Sequence, residues 1–258
     1  MKADYIRVIP CLDIKGGRVV KGVHFTNLRD AADPVEAAVV YDQGGADEIT
    51  FLDIAASVEH RPTLRELARR VCEAISVPLI VGGGIGSLSD IELLLAAGVR
   101  AVSLNTAAVR EPELVREAAA EFGSERIIVA IDGRKNPEMV SGYEVVTHGG
   151  TLGTGQDVMA WAARVADLGA GQILPTSMET DGVKDGYDLP LTRGCAEASG
   201  LPVIASGGAG KLEHFYQVVT EGQAAAVLAA SVFHFGEISI QAVKEYLAAR
   251  AVSVSVRR

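Results

Sequence analysis

Two aspartates occupy the same kind of position in the chain, each at the end of a short apolar run. Asp13 ends the run IPCLD, and Asp132 ends the run VAID. Two carboxylates that face one another across a site can act as a general acid and a general base. An aspartate that merely caps a loop is the alternative for either residue alone, and the sequence does not assign the acid and base roles.

Two glycine-rich segments indicate phosphate binding. Their glycines let backbone N–H groups approach an anion, and a following helix start adds the positive end of its dipole. The first set is Gly82, Gly83 and Gly84 with Asn105 and Thr106, and the second is Gly207 and Gly208 with Ala230 and Ser231. The repeated pair predicts a substrate with a phosphate at each end, and plain tight turns are the alternative interpretation.

Other polar residues are candidates for substrate binding. Lys21 lies in a long loop, where a flexible lysine can close over a phosphate or polarise a carbonyl group; a solvated surface lysine is equally compatible with the sequence. Four residues end predicted strands and are expected to hydrogen-bond a polar substrate: Asp53, Thr176, Ser177 and Asp181. The five histidines show no metal-ligand spacing and are predicted to be loop or surface residues. Cys11 is predicted to be a core residue.

These candidates require a scaffold that brings the ends of several strands together. Eight near-continuously apolar runs alternate with amphipathic ones, as expected for strands that are buried on both faces. The predicted strands are 5–12, 48–54, 78–81, 101–104, 126–131, 172–175, 202–205 and 225–228. Eight βα units predict an α/β fold, a closed (βα)8 TIM barrel with its active site at the carboxyl ends of the strands. An open doubly wound sheet is the alternative, although the first βα junction has no GxGxxG.

Cap and turn signals delimit the predicted helices. Thr63-x-x-Glu66 and Ser89-x-x-Glu92 have the pattern of capping boxes, and a further helix is predicted over 111–122. The two long connections, 13–32 and 133–155, alternate apolar and polar residues around glycines. Each is predicted to hold a small hairpin that covers the site.

An internal repeat supports the barrel. A shift of 124 residues places PLIVGGGIG (78–86) on PVIASGGAG (202–210) and Leu104 on Leu228. One shift that aligns several strands in order predicts a single domain over 1–258, made of half-barrels at about 1–123 and 124–258.

Composition restricts the class of partner and the compartment. The net charge of −9 argues against bulk electrostatic binding to nucleic acid or to an anionic membrane. Three cysteines without a CxxC argue against a disulfide framework or a structural zinc site and fit a reducing compartment. The first residues have no apolar signal core, and no apolar run is long enough to span a membrane, so a cytoplasmic protein is expected.

Ten stretches carry a resemblance that covers essentially the whole chain. They are RVIPCLD, GRVVKGVHFTNLRD, DPVE, FLDIAASVEHR, VGGGI, LNTAAV, VAID, TSMETDGVKDGYD, VIASGGAG and AASVFHF. Together they resemble the HisF family, the cyclase subunits of imidazole glycerol phosphate synthase. The HisA isomerases share the fold, the repeat and the paired aspartates, but they are not expected to show CLD, LNTAAV and AASVFHF together.

The resemblance implies a reaction of histidine biosynthesis. Ammonia condenses with the formimino-linked phosphoribulosyl aminoimidazole carboxamide ribonucleotide, a substrate with a phosphate at each end. The products are imidazole glycerol phosphate and aminoimidazole carboxamide ribonucleotide. By resemblance, Asp13 and Asp132 are the acid–base pair, Lys21 is the family's loop lysine, and no metal or organic cofactor takes part. The implied phosphate residues are Gly84, Asn105 and Thr106 at one end and Gly182, Gly208, Ala230 and Ser231 at the other.

The resemblance also implies a partner, the glutaminase HisH. It would form a heterodimer on the opposite face of the barrel and send ammonia through the barrel core. Four charged residues, typically Arg, Glu, Lys and Glu, ring the family's ammonia entrance. Here Arg7 and Glu48 are kept, whereas Ala101 and Gln172 stand at the other two positions, which predicts a thinner and more open ring. Pro175 is predicted to lie where the sixth strand gives way to its loop.

Three other functions remain compatible with the sequence. The first is a paralogous ammonia-dependent cyclase of another pathway with a different amidotransferase. The second is a HisA-like sugar-phosphate isomerase. The third is a non-catalytic phosphate-binding scaffold, which the intact Asp13, Asp132 and Lys21 disfavour.

Overall fold

The computed structural model describes residues 5–23, 26–54 and 61–255, with side chains described outside 21–32 and 61–63. The strands are β1 Arg7–Lys15, β2 Arg18–Val23, β3 Thr26–Ala32, β4 Ile49–Asp53, β5 Leu79–Gly82, β6 Ala101–Leu104, β7 Ile127–Lys135, β8 Tyr143–Thr147, β9 Leu152–Asp157, β10 Gln172–Ser177, β11 Ile204–Ala205 and β12 Ala226–Ala229. The helices are α1 Pro34–Gln43, α2 Arg61–Ala74, α3 Leu88–Ala96, α4 Thr106–Arg110, α5 Glu113–Phe122, α6 Val158–Asp167, α7 Leu189–Ser199, α8 Leu212–Thr220, α9 Ser231–His234 and α10 Ile240–Ala248.

Eight parallel strands form a closed barrel. Seven neighbouring pairs are continuous in the order β11, β12, β1, β4, β5, β6, β7 and β10. The circle closes between β10 and β11 through two isolated bridges, Ile173 with Val203 and Thr176 with Ser206. The predicted (βα)8 TIM barrel is confirmed, and the alternative of an open doubly wound sheet is wrong.

The weak seam between β10 and β11 follows from Pro175. The carbonyl oxygen of Pro175 accepts a hydrogen bond from Ser206 N at 3.2 Å. The N–H and C=O of one residue in a parallel strand point to the same side, so the donor that proline lacks would face β11. The prediction that Pro175 ends its strand is wrong, because β10 continues to Ser177. The proline instead interrupts one ladder while the other side of β10 stays paired with β7.

Both predicted hairpins are present, and they lengthen the strands that carry the two aspartates. β2 pairs antiparallel with β1, placing Asp13 opposite Val20, and β8 pairs antiparallel with β7, placing Asp132 opposite Val146. These partners extend β1 and β7 past the predicted ends, to Lys15 and Lys135. Each aspartate therefore lies at the branch between the barrel and its hairpin.

Three predicted helix starts are wrong. α3 is capped by Ser87, whose hydroxyl accepts from Asp90 N at 3.1 Å, while the Asp90 carboxylate accepts from Gly86 N at 3.0 Å. These two hydrogen bonds place the N-cap of α3 two residues before Ser89, and they differ from a capping box in that the carboxylate accepts from the N–H before the N-cap. α2 already includes Arg61, so Thr63 lies inside the helix and does not cap it. The helix predicted over 111–122 is α5, which begins two residues later at Glu113, and the short helix α4 before it was not predicted.

The strands alternate between two apolar cores, one inside the barrel and one under the helices. The barrel interior is filled by buried side chains that face its axis: Ile9, Cys11, Ile80, Ala101, Ile128, Leu174, Ile204, Ala226 and Leu228. Cys11 is thus a core residue, as predicted. The outer core packs the opposite strand faces against the helices and includes Phe51, Trp161 and Phe215. Among the described residues, the charged side chains of the barrel strands lie near the two ends of the barrel, and hydroxyl groups such as those of Thr50 and Ser103 are the polar groups buried between them.

Candidate active site

A cavity of about 910 Å³ opens at the carboxyl ends of the barrel strands. Its wall contains nearly all of the residues predicted to bind or transform a substrate: Asp13, Asp53, Gly83, Gly84, Asn105, Thr106, Asp132, Thr176, Asp181, Gly182, Gly207, Gly208, Ala230 and Ser231. The backbone of Lys21 lies in β2, paired with Arg29, but its side chain is outside the described part of the chain. The fold therefore gathers residues from across the sequence into one space.

The two aspartates face each other across this cavity. Asp13 is 8% exposed and lies on β1, and Asp132 lies on β7. Three barrel strands separate β1 from β7 in either direction around the circle. A substrate that fills the cavity is therefore flanked by a carboxylate on each side.

The environment of Asp132 favours its protonated form. Burial raises the pKa of the carboxyl from 3.8 to about 6, and the negative charge of Asp181 adds to the increase. A hydrogen bond from Asn105 Nδ2 to Asp132 Oδ2, 2.9 Å long, acts in the opposite direction by stabilising the carboxylate. The result is a carboxyl group that exchanges a proton near neutral pH.

The first glycine loop approaches a neighbouring strand too closely for any side chain. Gly83 has φ +92°, and a Cβ atom there would lie 2.1 Å from the carbonyl oxygen of Asp53. Beside this loop, Thr106 begins α4, and its hydroxyl accepts from His148 N at 3.3 Å. The side-chain oxygen of Asn105 is buried and has no hydrogen-bond partner within the described chain. Backbone N–H groups, a hydroxyl and an amide thus converge at this end.

The second glycine loop has the same close packing. Gly208 has φ +103°, and a Cβ atom there would lie 2.1 Å from the carbonyl oxygen of Gly186. Gly186 N donates to the Gly208 carbonyl oxygen at 2.8 Å, which ties the β10–α7 loop to the β11–α8 loop. Ser231 begins α9 beside them. This end therefore offers the same combination of open backbone and hydroxyl group.

Three cavity residues with basic side chains were missed by sequence reasoning: Arg110, His148 and Lys184. His148 is exposed, as predicted, but it also sits at the tip of the β8–β9 hairpin and holds Thr106. Its place in a loop predicted to cover the site was the available signal. Arg110 lies one helical turn after Thr106, and Lys184 lies three residues after Asp181, so proximity in sequence could have identified both.

The predicted ammonia-entrance residues lie at the opposite end of the barrel, and three of them form one cluster. Arg7 Nη1 donates to both Glu48 carboxylate oxygens at 2.9 and 3.0 Å, and Arg7 Nη2 donates to Gln172 Oε1 at 2.5 Å. Ala101, at the remaining position, is buried in the barrel wall and adds no polar side-chain atom. At these four positions the charge is therefore an Arg–Glu pair, which a neutral amide completes.

Metal and membrane features are absent from the part of the chain that the structure describes. Within residues 5–23, 26–54 and 61–255, no group of three or more His, Cys, Asp or Glu side chains could hold a metal ion. None of the described helices has both the length and the apolar character needed to cross a membrane.

A model of a known protein family matches most of this chain. A model of the family described as "Histidine biosynthesis protein" matches residues 7–239. The matched segment begins at Arg7 and extends beyond Ser231, so it contains both ends of the barrel described above.

Proposed function

The chain belongs to the histidine biosynthesis protein family, which makes it a TIM-barrel enzyme of the histidine pathway, and we propose that it is the cyclase of imidazole glycerol phosphate synthase. In this reaction ammonia condenses with the formimino-linked phosphoribulosyl aminoimidazole carboxamide ribonucleotide. Ring closure and cleavage release imidazole glycerol phosphate and aminoimidazole carboxamide ribonucleotide.

The observation that carries this proposal is the placement of two carboxylates between two glycine loops in one cavity. Condensation of ammonia with a ketone, loss of water and displacement of the second nitrogen each move a proton. Asp13 and Asp132 stand on opposite walls, where one can remove a proton while the other supplies one. Glycine loops at both ends suit a substrate that carries two phosphates.

We assign proton donation to Asp132. With a pKa of about 6, about half of the carboxyl groups hold a proton at pH 6 and roughly a tenth at pH 7, far more than for an ordinary aspartate. Asp13 then acts as the base. The Asn105 amide orients the Asp132 carboxyl group through the 2.9 Å hydrogen bond.

The ammonia route is proposed to run through the barrel from the Arg7–Glu48–Gln172 cluster to the cavity. The interior between them is apolar apart from hydroxyl groups such as that of Thr50, which has no hydrogen-bond partner among the described residues. Such a hydroxyl can hydrogen-bond an ammonia molecule in transit. The glutaminase HisH is the proposed partner on this face, in a heterodimer.

The HisA-like isomerase is the second candidate, because family membership and the paired aspartates fit it equally. The polar cluster at the base and the stretches CLD, LNTAAV and AASVFHF favour the cyclase. The test is to give the purified chain the phosphoribulosyl substrate with an ammonium salt and to measure both products. Formation of both supports the cyclase. Isomerisation of the substrate's open-chain precursor without ammonia would identify the isomerase, and failure to bind either compound would identify a paralogue.

The pH dependence of turnover should report the ionisation of Asp132. With Asp132 as the acid, kcat/KM at constant un-ionised ammonia is expected to fall as pH rises through about 6. Asn105→Ala removes the hydrogen bond that lowers the pKa, so the inflection should move to higher pH. Asp181→Asn removes a negative charge that raises the pKa, so the inflection should move to lower pH. Inflections that coincide in all three proteins would contradict the assignment.

Because Ala101 and Gln172 are uncharged, we predict that this chain uses free ammonium faster than a variant with charged residues at these two positions. Gln172→Glu together with Ala101→Lys adds a carboxylate and an ammonium group to the Arg7 cluster. We expect this double variant to turn over ammonium salts severalfold more slowly, because added charges tighten the entrance. Arg100→Ala is the matched control, since Arg100 is exposed and immediately precedes Ala101, the first residue of β6. Equal rates for the double variant and the unmodified chain would refute an entrance at this position.

A further inference from the structure

Two side-chain cations and four carboxylates line the cavity. Among the described lining residues, Arg110 and Lys184 are the arginine and lysine side chains, whereas four aspartates contribute carboxylates. We infer that Arg110 and Lys184 each bind one terminal phosphate of the substrate and together determine its direction in the cavity. This inference uses the bisphosphorylated substrate class of the proposed function and deepens it by naming the residue that recognises each end.

Arg110 belongs to the end formed by the first glycine loop. It is the last residue of α4, four positions after Thr106, and residues at this spacing lie on one face of a helix. Its side chain is exposed, and no described residue forms an ion pair or hydrogen bond with its guanidinium. A guanidinium can bind two phosphate oxygens at once, so it suits a phosphate held beside the Thr106 hydroxyl.

Lys184 belongs to the end formed by the second glycine loop. It has φ +67°, and its carbonyl lies so close to Gly210 that a Cβ atom there would be 2.0 Å from the oxygen. This packing fixes the Lys184 backbone against the β11–α8 loop. Lys184 Nζ lies 2.5 Å from Glu237 Oε1 and 5.7 Å from the Phe235 ring centroid, both just beyond α9. The lysine is therefore positioned between the two loops that form this end.

The ion pair with Glu237 leaves Lys184 able to change partners. The two side chains are 35% and 41% exposed, and ion pairs at such exposure contribute little stability. A phosphate with two negative charges attracts the ammonium group more strongly than one carboxylate does. Lys184 can therefore leave Glu237 when a phosphate enters, without breaking a strong contact.

The two cations break the symmetry of the half-barrel repeat. The shift of 124 residues places Arg110 on His234, and these residues end α4 and α9 respectively. His234 does not line the cavity, and Lys184, from a different loop, supplies the cation at that end. The repeat thus gives both ends glycines and hydroxyls, while a guanidinium marks one and an ammonium marks the other. This difference distinguishes the two phosphates of one substrate.

The four carboxylates strengthen this selection. Asp13, Asp53, Asp132 and Asp181 line the wall between and beside the two ends, so a phosphate in the middle of the cavity would meet repulsion. Attraction at Arg110 and Lys184 and repulsion elsewhere favour an extended substrate with one phosphate at each end.

Inorganic phosphate tests the two sites without any assumption about the reaction. Titrations of the full chain would compare wild type, Arg110→Met, Lys184→Met and the control Lys135→Met, whose exposed lysine does not line the cavity. We expect two phosphates to bind wild type and the control. Arg110→Met and Lys184→Met should each lower the affinity for one of the two phosphates by roughly tenfold to a hundredfold. Glu237→Gln should raise the phosphate affinity of the site whose affinity Lys184→Met lowers. Phosphate binding that is absent from wild type, or unchanged in both cavity variants, would overturn the inference.

The two products then assign each cation to one end, because each product carries one phosphate. Arg110→Met and Lys184→Met are expected to weaken different products, imidazole glycerol phosphate in one case and aminoimidazole carboxamide ribonucleotide in the other. Weakening of the same product by both variants would refute separate roles. Wild type that binds two inorganic phosphates but neither product would refute the cyclase and leave the two phosphate sites standing.

Discussion

Asp13→Asn and Asp132→Asn are each expected to reduce ammonium-dependent formation of imidazole glycerol phosphate by about 10²–10⁴-fold, the usual contribution of a positioned general acid or base. An amide of the same shape keeps its place in the wall but can neither take up nor release the proton. Substrate affinity should therefore remain within a few fold of wild type, because the glycine loops at both ends are untouched. Rates of product formation under saturating ammonium and substrate affinity by calorimetry measure the two effects separately.

The stability of Asp132→Asn separates lost chemistry from lost folding. The pKa of Asp132 is about 6 in the folded chain and 3.8 as the ordinary value. Folding therefore favours the protonated form, and the carboxyl group costs stability once pH rises through this window. The asparagine variant should gain at most about 3 kcal/mol in free energy of unfolding above pH 7, and almost none below pH 4. Urea unfolding at pH 4 and pH 8 measures this difference.

Two results would contradict these roles. Retention of turnover in either asparagine variant would remove that aspartate from the chemistry. Loss of turnover together with a lower free energy of unfolding at pH 8 would show that Asp132 supports the fold, and that its loss acts through misfolding.

Gly83→Ala is expected to destabilise the chain by at least about 3 kcal/mol and to weaken substrate binding at the first glycine loop. A methyl group there would lie 2.1 Å from the Asp53 carbonyl oxygen, and the residue also has φ +92°. The loop must therefore move away from β4, and that movement separates the backbone N–H groups from Thr106 and Asn105. Free energies of unfolding and substrate KM values measure the two losses.

Gly142→Ala is the control that isolates the steric contact from the backbone strain. Gly142 has φ +80°, but a Cβ atom there would have no atom within 4 Å, and the residue lies outside the cavity wall. Only the cost of a left-handed residue remains, roughly 1–2 kcal/mol, with KM unchanged. Equal destabilisation by the two alanine variants would show that the approach to Asp53 does not matter.

Local patterns in the sequence predicted the architecture, the cavity aspartates and both glycine loops. Apolar runs of strand length separated by amphipathic segments require a sheet buried on both faces, and eight repetitions give the barrel. The prediction that Ser177 binds substrate is not supported, because Ser177 ends β10 but does not line the cavity, and its buried hydroxyl donates to Asp188 Oδ2 at 3.0 Å. Because a barrel places the carboxyl ends of all its strands on one rim, a polar residue that ends a strand with its side chain facing inward is brought to the cavity. That rule located Asp13, Asp53, Asp132 and Thr176 from their neighbours in sequence, and the repeated glycines located both loops.

Local sequence patterns gave wrong element boundaries where a segment distant in sequence pairs with the same residues. β1 and β7 run beyond their predicted ends because hairpin strands pair with them, and Pro175 lies inside β10 because β7 still supports that strand. The N-cap at Ser87 was missed because two nearby serines are each followed three residues later by an acidic residue, and the backbone conformation determines which serine is the cap.

The chemistry of the site depends on distances that no sequence pattern contains. The pKa of Asp132 depends on burial, on Asn105 and on Asp181, which lie 27 and 49 residues away along the chain. The hydrogen bond from Arg7 to Gln172 joins residues that are 165 positions apart in the sequence. Residue type and periodicity determine which elements form and which faces they bury. Ionisation and charge pairing depend on the separation of groups in space, and closure of the barrel sets those separations.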